Sequence, residues 1–369
     1  MKKAPAGLAE VLQSTPIAAS TSATGRGSPP EAAAPLLNIQ ALRAIAALLV
    51  VFVHLDRFLG KLGLIPIGQG GVDLFFVISG FIMTYATGTR PVTPLEFMRQ
   101  RILRIVPIYW LITLIVFALV ILRPSLLQAT SADPVQLLKS LLFIPFAKSN
   151  GQVQPTLFVG WTLNYEMFFY LVFAIGLLID DVTVRTTYVC GLLAALALAH
   201  GFLPPASIAL EFYSQPIILE FCGGMLVAAA LRSDRLQNIP LSTSLIMLSV
   251  SLIGIVILPV EFPQPSRVLT DGLPAVFAVF SAAALNSAGV IVRNRLPLLL
   301  GDASYSIYLT HAFVTQALQA LGAKLGVGKG ISAILIPITL ALVCLAGVAT
   351  YVWVERPLTR TMRRRRPIS

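Results

Sequence analysis

The amino-acid sequence predicts an all-α fold: a polytopic membrane helix bundle of about ten transmembrane helices, both termini cytoplasmic. Three observations predict it. Of 369 residues, 56% are hydrophobic and 12% charged, with mean hydropathy +0.83, against roughly 45–50% apolar in a soluble domain. Charge-poor stretches at Ile105–Leu122, Thr186–Leu210, Leu236–Val260, Gly272–Val292 and Gly330–Val354 are each near or above the ~20 residues that cross a hydrocarbon core, where backbone groups find no water and must bond within a helix. The basic residues are asymmetric. With spans centred near Leu48, Ile78, Leu114, Phe169, Ala194, Met225, Leu248, Val279, Tyr308 and Leu342, the loops on the side of the N-terminus hold eighteen Lys and Arg and the opposite loops eight. The positive-inside rule then places the termini in the cytoplasm, and the net charge of +11 is a topology signal rather than the mark of a nucleic-acid partner.

The first span, Leu36–Leu55, carries Arg43 and His54 eleven positions apart. At about 100° per residue they return to within roughly 20° of one another, on the order of 16 Å apart along the axis. They share a helix face, one near the membrane surface and one deep. Ionisable groups within a span are costly and usually face the protein interior, which makes this pair a functional hypothesis. The bland alternative has Arg43 snorkelling to lipid phosphates and His54 satisfied by a neighbouring helix.

The second span contains GGVDLFFVISGF (Gly70–Phe81), with Asp73 opening the helix and Ser79–Gly80 in its middle. Asp73 suits a helix N-terminus on its own account, and Ser79–Gly80 suits close helix packing. Before the third span, Arg101 and Arg104 are i,i+3 neighbours in RILRIVPIYW. They fit either bidentate phosphate binding or plain inside anchors. The connection from Arg123 to about Thr156 includes Val135–Phe146, apolar but too short to cross, and is expected to be interfacial or re-entrant.

The fourth span opens with WTLNYEMFFY (Trp161–Tyr170), where Glu166 enters an aromatic-rich helix and needs a partner or a raised pKa. Later, GDASYSIYLTH (Gly301–His311) places Ser304, Tyr308, His311 and Thr315 on one helical face. Glu355 ends the last span as a boundary residue beside Arg356. Residues 1–35 read as a disordered cytoplasmic tail, 36–360 as the membrane domain and 361–369 as a basic cytoplasmic tail. Cys190, Cys222 and Cys344 lack metal-ligand or disulfide spacing, so no metal site is expected. Without a G-x-S-x-G elbow, H-E-x-x-H or a Walker loop, serine, zinc or ATP-driven hydrolysis is disfavoured.

Together these stretches resemble the acyltransferase-3 family of integral membrane acyltransferases from Leu36 to Pro357. The R-x10-H signature falls on Arg43 and His54, the R-x2-R motif on Arg101 and Arg104, and the Trp…Glu motif on Trp161 and Glu166. GVDLFFVISGF and SYSIYLTH are close to the family's wording. Met167 stands where many relatives have a second acidic residue. The resemblance implies transfer of an acyl group, usually acetyl from acetyl-CoA, to a sugar hydroxyl of an exopolysaccharide or related, sometimes lipid-linked, glycan at the inner membrane. The chain is most similar to the stand-alone exopolysaccharide-acetylating branch.

On that reading acyl-CoA is a substrate rather than a resident cofactor, its anionic head meeting Arg43, Arg101 and Arg104. His54 is the expected base, with a His54-linked acyl intermediate as the alternative route, Glu166 its orienting partner, and Asp73, Ser79, Tyr308 and His311 the candidates for the acceptor path. A secondary transporter with a proton and substrate pathway is the rival reading, disfavoured by the lack of an inverted repeat, and a silent scaffold is a third.

Overall fold

The computed structural model describes residues 36–61, 67–123, 130–202, 207–232, 239–262 and 266–364. The expected tail 1–35 and the final residues 365–369 lie outside them. No strand occurs among the described residues; one isolated bridge joins Ala147 and Val153.

Helices α1 (Leu37–Val53), α2 (Asp56–Lys61), α3 (Gly70–Thr89) and α4 (Pro94–Leu122) come first. Next are α5 (Pro134–Leu141), α6 (Trp161–Gly176), α7 (Val182–Ala199), α8 (Ile208–Tyr213) and α9 (Leu219–Arg232). Then follow α10 (Leu241–Glu261), α11 (Leu273–Ser287), α12 (Arg295–Asp302), α13 (Ser304–Lys324), α14 (Lys329–Thr350) and α15 (Arg356–Arg364). Single π-helical segments, Val268–Gly272 and Tyr351–Glu355, lead into α11 and α15.

A helix covers each of the ten centres expected from the sequence. Among the described residues, seven segments are long and apolar enough to cross a membrane: Gly70–Thr89, Pro94–Leu122, Phe158–Gly176, Val182–Ala199, Leu241–Glu261, Val268–Ser287 and Lys329–Met362. Helix α1 is apolar but shorter, at 17 residues. The segment expected to be interfacial or re-entrant forms only the eight-residue α5, with Val135 and Leu138 exposed. Trp110 Nε1 and Tyr109 Oη of α4 donate to the carbonyls of Leu141 and Ser140 at 2.8 and 3.1 Å, pinning its end to the bundle.

Local chemistry starts several helices. Thr93 caps α4 by accepting from Glu96 N at 3.3 Å, with Pro94 at the first position. Asp181 and Asn294 do the same for α7 and α12. Helix α3 is the most enclosed of the long helices, and its interface with α9 is the most extensive between helices among the described residues. A Cβ at Gly80 would lie 2.0 Å from Phe221 O, and one at Gly224 would lie 1.9 Å from Val77 O. Only hydrogen fits at these two crossings, as small-residue packing between apolar helices requires. Around them Phe76, Phe169 and Phe221 stack with centroids 4.3–4.6 Å apart, in a core shared by α3, α4, α6, α7 and α9. A second apolar cluster joins α1, α3 and α9 to α11.

Candidate active site

Helix α1 packs against α13, and the two run in the same direction. At one end Arg43 Nη2 donates to Ser304 Oγ at 2.9 Å. At the other, His54 lies beside His311, ring centroids 4.8 Å apart. The shared face expected from eleven-residue spacing is therefore one interface. Helix α1 stops at Val53; His54 is its C-cap, and Gln319 Nε2 donates to the His54 carbonyl at 2.5 Å.

The hydrogen bonds of the two rings define their protons. A carbonyl oxygen only accepts. His311 Nδ1 lies 2.6 Å from Tyr308 O, so it carries a proton and leaves Nε2 as acceptor in the neutral ring. His54 Nδ1 lies 2.9 Å from Val50 O and 3.3 Å from His311 Nε2, and one N–H serves both. The lone pair of neutral His54 is thus on Nε2. Phe158 packs against the His54 ring, with centroids 5.5 Å apart.

Beside this pair is a narrow cavity of about 90 Å³ lined by Arg43, Arg101, Arg104, Ser79, Glu166 and Tyr308, with Tyr170, Thr162 and the apolar face of α3. Nine positions singled out in the sequence are brought near one another: Ser304 joins the six named above on this cavity, and His311 and His54 stand behind Tyr308. Neither histidine belongs to the cavity lining; Tyr308 is the link, since its side chain lines the cavity and its carbonyl holds His311. Tyr308 is fixed in turn, its hydroxyl donating to Val159 O at 2.7 Å and meeting Thr162 Oγ1 at 2.7 Å.

Two placements differ from expectation. Glu166 meets no histidine: its Oε1 accepts from the Tyr170 hydroxyl and from Ser79 Oγ at 3.3 Å. Tyr170 lies one helical turn beyond Glu166, so the local partner was the nearer solution, and the spacing could have revealed it. Asp73 does not line the cavity. It is fully buried and takes a bidentate bond from Arg267, at 2.9 and 2.7 Å, because a carboxylate without water needs a matched cation. Glu220 and Asp271, both 2% exposed, complete that knot; Glu220 packs against Gly272 and Asp271 against Gly70. Arg267 is 194 residues from Asp73, and no local signal announces the pairing. Among the described residues, no group of His, Cys, Asp and Glu has metal-holding geometry.

Comparison with known proteins supplies the family. A profile described as an acyltransferase domain matches residues 36–354. The chain is 39% identical over 310 residues to the exopolysaccharide production protein ExoZ of Rhizobium meliloti, covering 81% of this chain and 92% of that one. It is 25% identical over 375 residues to the acyltransferase MdmB of Streptomyces mycarofaciens, covering 90% and 94%. Protein 2 in the picA locus of Rhizobium radiobacter is 30% identical over 166 residues, 40% of this chain and 83% of that one. No solved structure matches at a significant level. With its apolar helices and a match over most of its length, the chain belongs to the acyltransferase-3 family and is a membrane O-acyltransferase.

Proposed function

We propose that this protein acetylates a hydroxyl of an exopolysaccharide sugar, using acetyl-CoA as donor and His54 as general base. In this proposal the chain crosses the inner membrane about ten times, with both termini in the cytoplasm. The asymmetry of its basic residues supports that topology, and the relative named for exopolysaccharide production supports the acceptor class.

The observation that carries the reading is the convergence of Arg43, Arg101 and Arg104 on one cavity whose Tyr308 wall holds the histidine pair. Phosphates of the donor suit guanidinium groups, which grip such anions bidentately. The amides of a pantetheine arm suit Ser79, Glu166 and Tyr170 along the cavity wall. In the reaction the acceptor oxygen attacks the thioester carbon while His54 Nε2 takes its proton. The carbon–sulfur bond then breaks, and the thiolate leaves and recovers that proton from the imidazolium. His311 holds His54 in the tautomer this requires.

Purified protein in nanodiscs with labelled acetyl-CoA and de-acetylated exopolysaccharide tests the proposal. Label in the polymer, and its loss with His54→Ala, is the expected result. Transfer that persists in a folded His54→Ala variant overturns the assignment of the base, and no transfer by the unaltered protein overturns the reaction.

A further inference from the structure

A wider cleft of about 510 Å³ adjoins the narrow cavity, and Arg43 and Arg104 line both. Two further arginines, Arg356 and Arg360, reach it from α15. The π-helical segment Tyr351–Glu355 sets the phase of that helix, and the i,i+4 spacing puts both on one face. The cleft thus gathers four guanidinium groups from three helices against two carboxylates, Asp302 and Glu355.

These two carboxylates offset only part of that charge. Asp302 accepts from Gln40 Nε2 at 2.5 Å, and the buried Glu355 accepts from Ser306 Oγ at 2.6 Å. None of the four arginines closes an ion pair within 4.0 Å among the described residues, in contrast to Arg267 with Asp73 at the knot. Arg43, Arg104 and Arg356 are all within electrostatic reach of Asp302, yet none closes on it. Unpaired cations concentrated in a concave, partly apolar setting attract a polyanion.

Resting on the acyl-CoA reading above, we infer that this cleft is the subsite for the nucleotide end of the donor, a 3′-phosphoadenosine diphosphate, with Arg356 and Arg360 holding its phosphates. Arg43 and Arg104, common to both spaces, mark where the nucleotide ends and the pantetheine arm begins. Arg356 and Arg360 are then determinants of donor selectivity, separating full-length acetyl-CoA from shorter thioesters carrying the same acetyl group.

The test compares acetyl-CoA, S-acetyl-dephospho-CoA and S-acetyl-pantetheine as donors for the unaltered protein and for Arg356→Gln, Arg360→Gln and the double variant, in phosphatidylcholine nanodiscs. The ratio of kcat/KM for acetyl-CoA to that for S-acetyl-pantetheine is expected to fall about tenfold with each substitution. Competitive inhibition by 3′,5′-ADP is expected to weaken in parallel. Arg360 is exposed, so its variant reports binding even where Arg356→Gln fails to fold. A ratio that stays constant overturns the subsite, leaving acyl-CoA chemistry intact. Loss of 3′,5′-ADP inhibition on adding phosphatidylglycerol identifies a lipid headgroup as the occupant and also overturns it. An unaltered protein that turns over none of the three thioesters removes the donor reading and this inference together.

Discussion

Two polar regions of the bundle solve the problem of burying charge in opposite ways. At the knot, Asp73 is closed into a bidentate pair with Arg267, and Glu220 and Asp271 are packed behind it with almost no exposure. At the Arg43 end, three arginines and Glu166 line a cavity, Arg43 and Arg104 close on no carboxylate among the described residues, and a histidine pair stands behind Tyr308. The carboxylates of the knot are the more deeply buried, whereas the proposed chemistry is assigned to the other region. What separates a candidate reactive cluster from a structural one is open space next to the charges.

The comparison breaks most sharply at two residues. His54→Ala is expected to reduce transfer about 10²–10⁴-fold, the ordinary worth of general-base catalysis, with an unchanged melting temperature. Arg267→Ala should act oppositely, costing about 1–3 kcal/mol of stability by leaving the buried Asp73 without its partly exposed partner, while kcat in the surviving folded fraction stays near normal. Joint replacement of Asp73 and Arg267 by apolar residues of similar size should recover much of that loss in a thermal melt. If Arg267→Ala instead lowers kcat in folded protein, the division between the two regions fails.

Smaller effects sharpen the division. Reversing charge at Arg101 and Arg104 should raise the KM for acetyl-CoA at least about tenfold while moving the KM for the polymer little, since charge-assisted phosphate contacts are the ones removed. An equal rise in both would reduce the two arginines to topology anchors. A third region sets the lower bound. Lys148, 6% exposed, has its ammonium pushed down to about 8 by burial. The unfolded chain keeps that proton to about pH 10.4 and so binds more protons across this interval. Stability should therefore rise as pH climbs from 8 towards 10, and Lys148→Met should flatten that slope in melts taken at several pH values.

Much of this arrangement was readable in the linear sequence, and the unread part has a common physical origin. Helical periodicity placed Arg43 and His54 on one face and Ser304, Tyr308 and His311 on another, and the structure joins the two faces. Such features repeat within a few turns, so the chain displays them locally. The Asp73–Arg267 pair joins distant segments and depends on how α3 meets the segment ahead of α11. Arg356 was legible only as a boundary cation beside Glu355, because its partners across the cleft come from α1 and α4. Glu166 shows the reverse error: a distant histidine was expected where a tyrosine one turn away sufficed.

The π-helical turn at Tyr351–Glu355 has a consequence for how this protein can vary. It holds roughly one residue more than an α-turn in nearly the same rotation, so deleting a single residue there would restore regular winding and leave the downstream helix close to its present facing. The same deletion in the regular helix ahead of it would swing everything downstream by about 100° and turn Arg356 and Arg360 away from the basin they now border. Changes of length are thus absorbed at that spot, and only those made before it become angular adjustments to the C-terminal arginines.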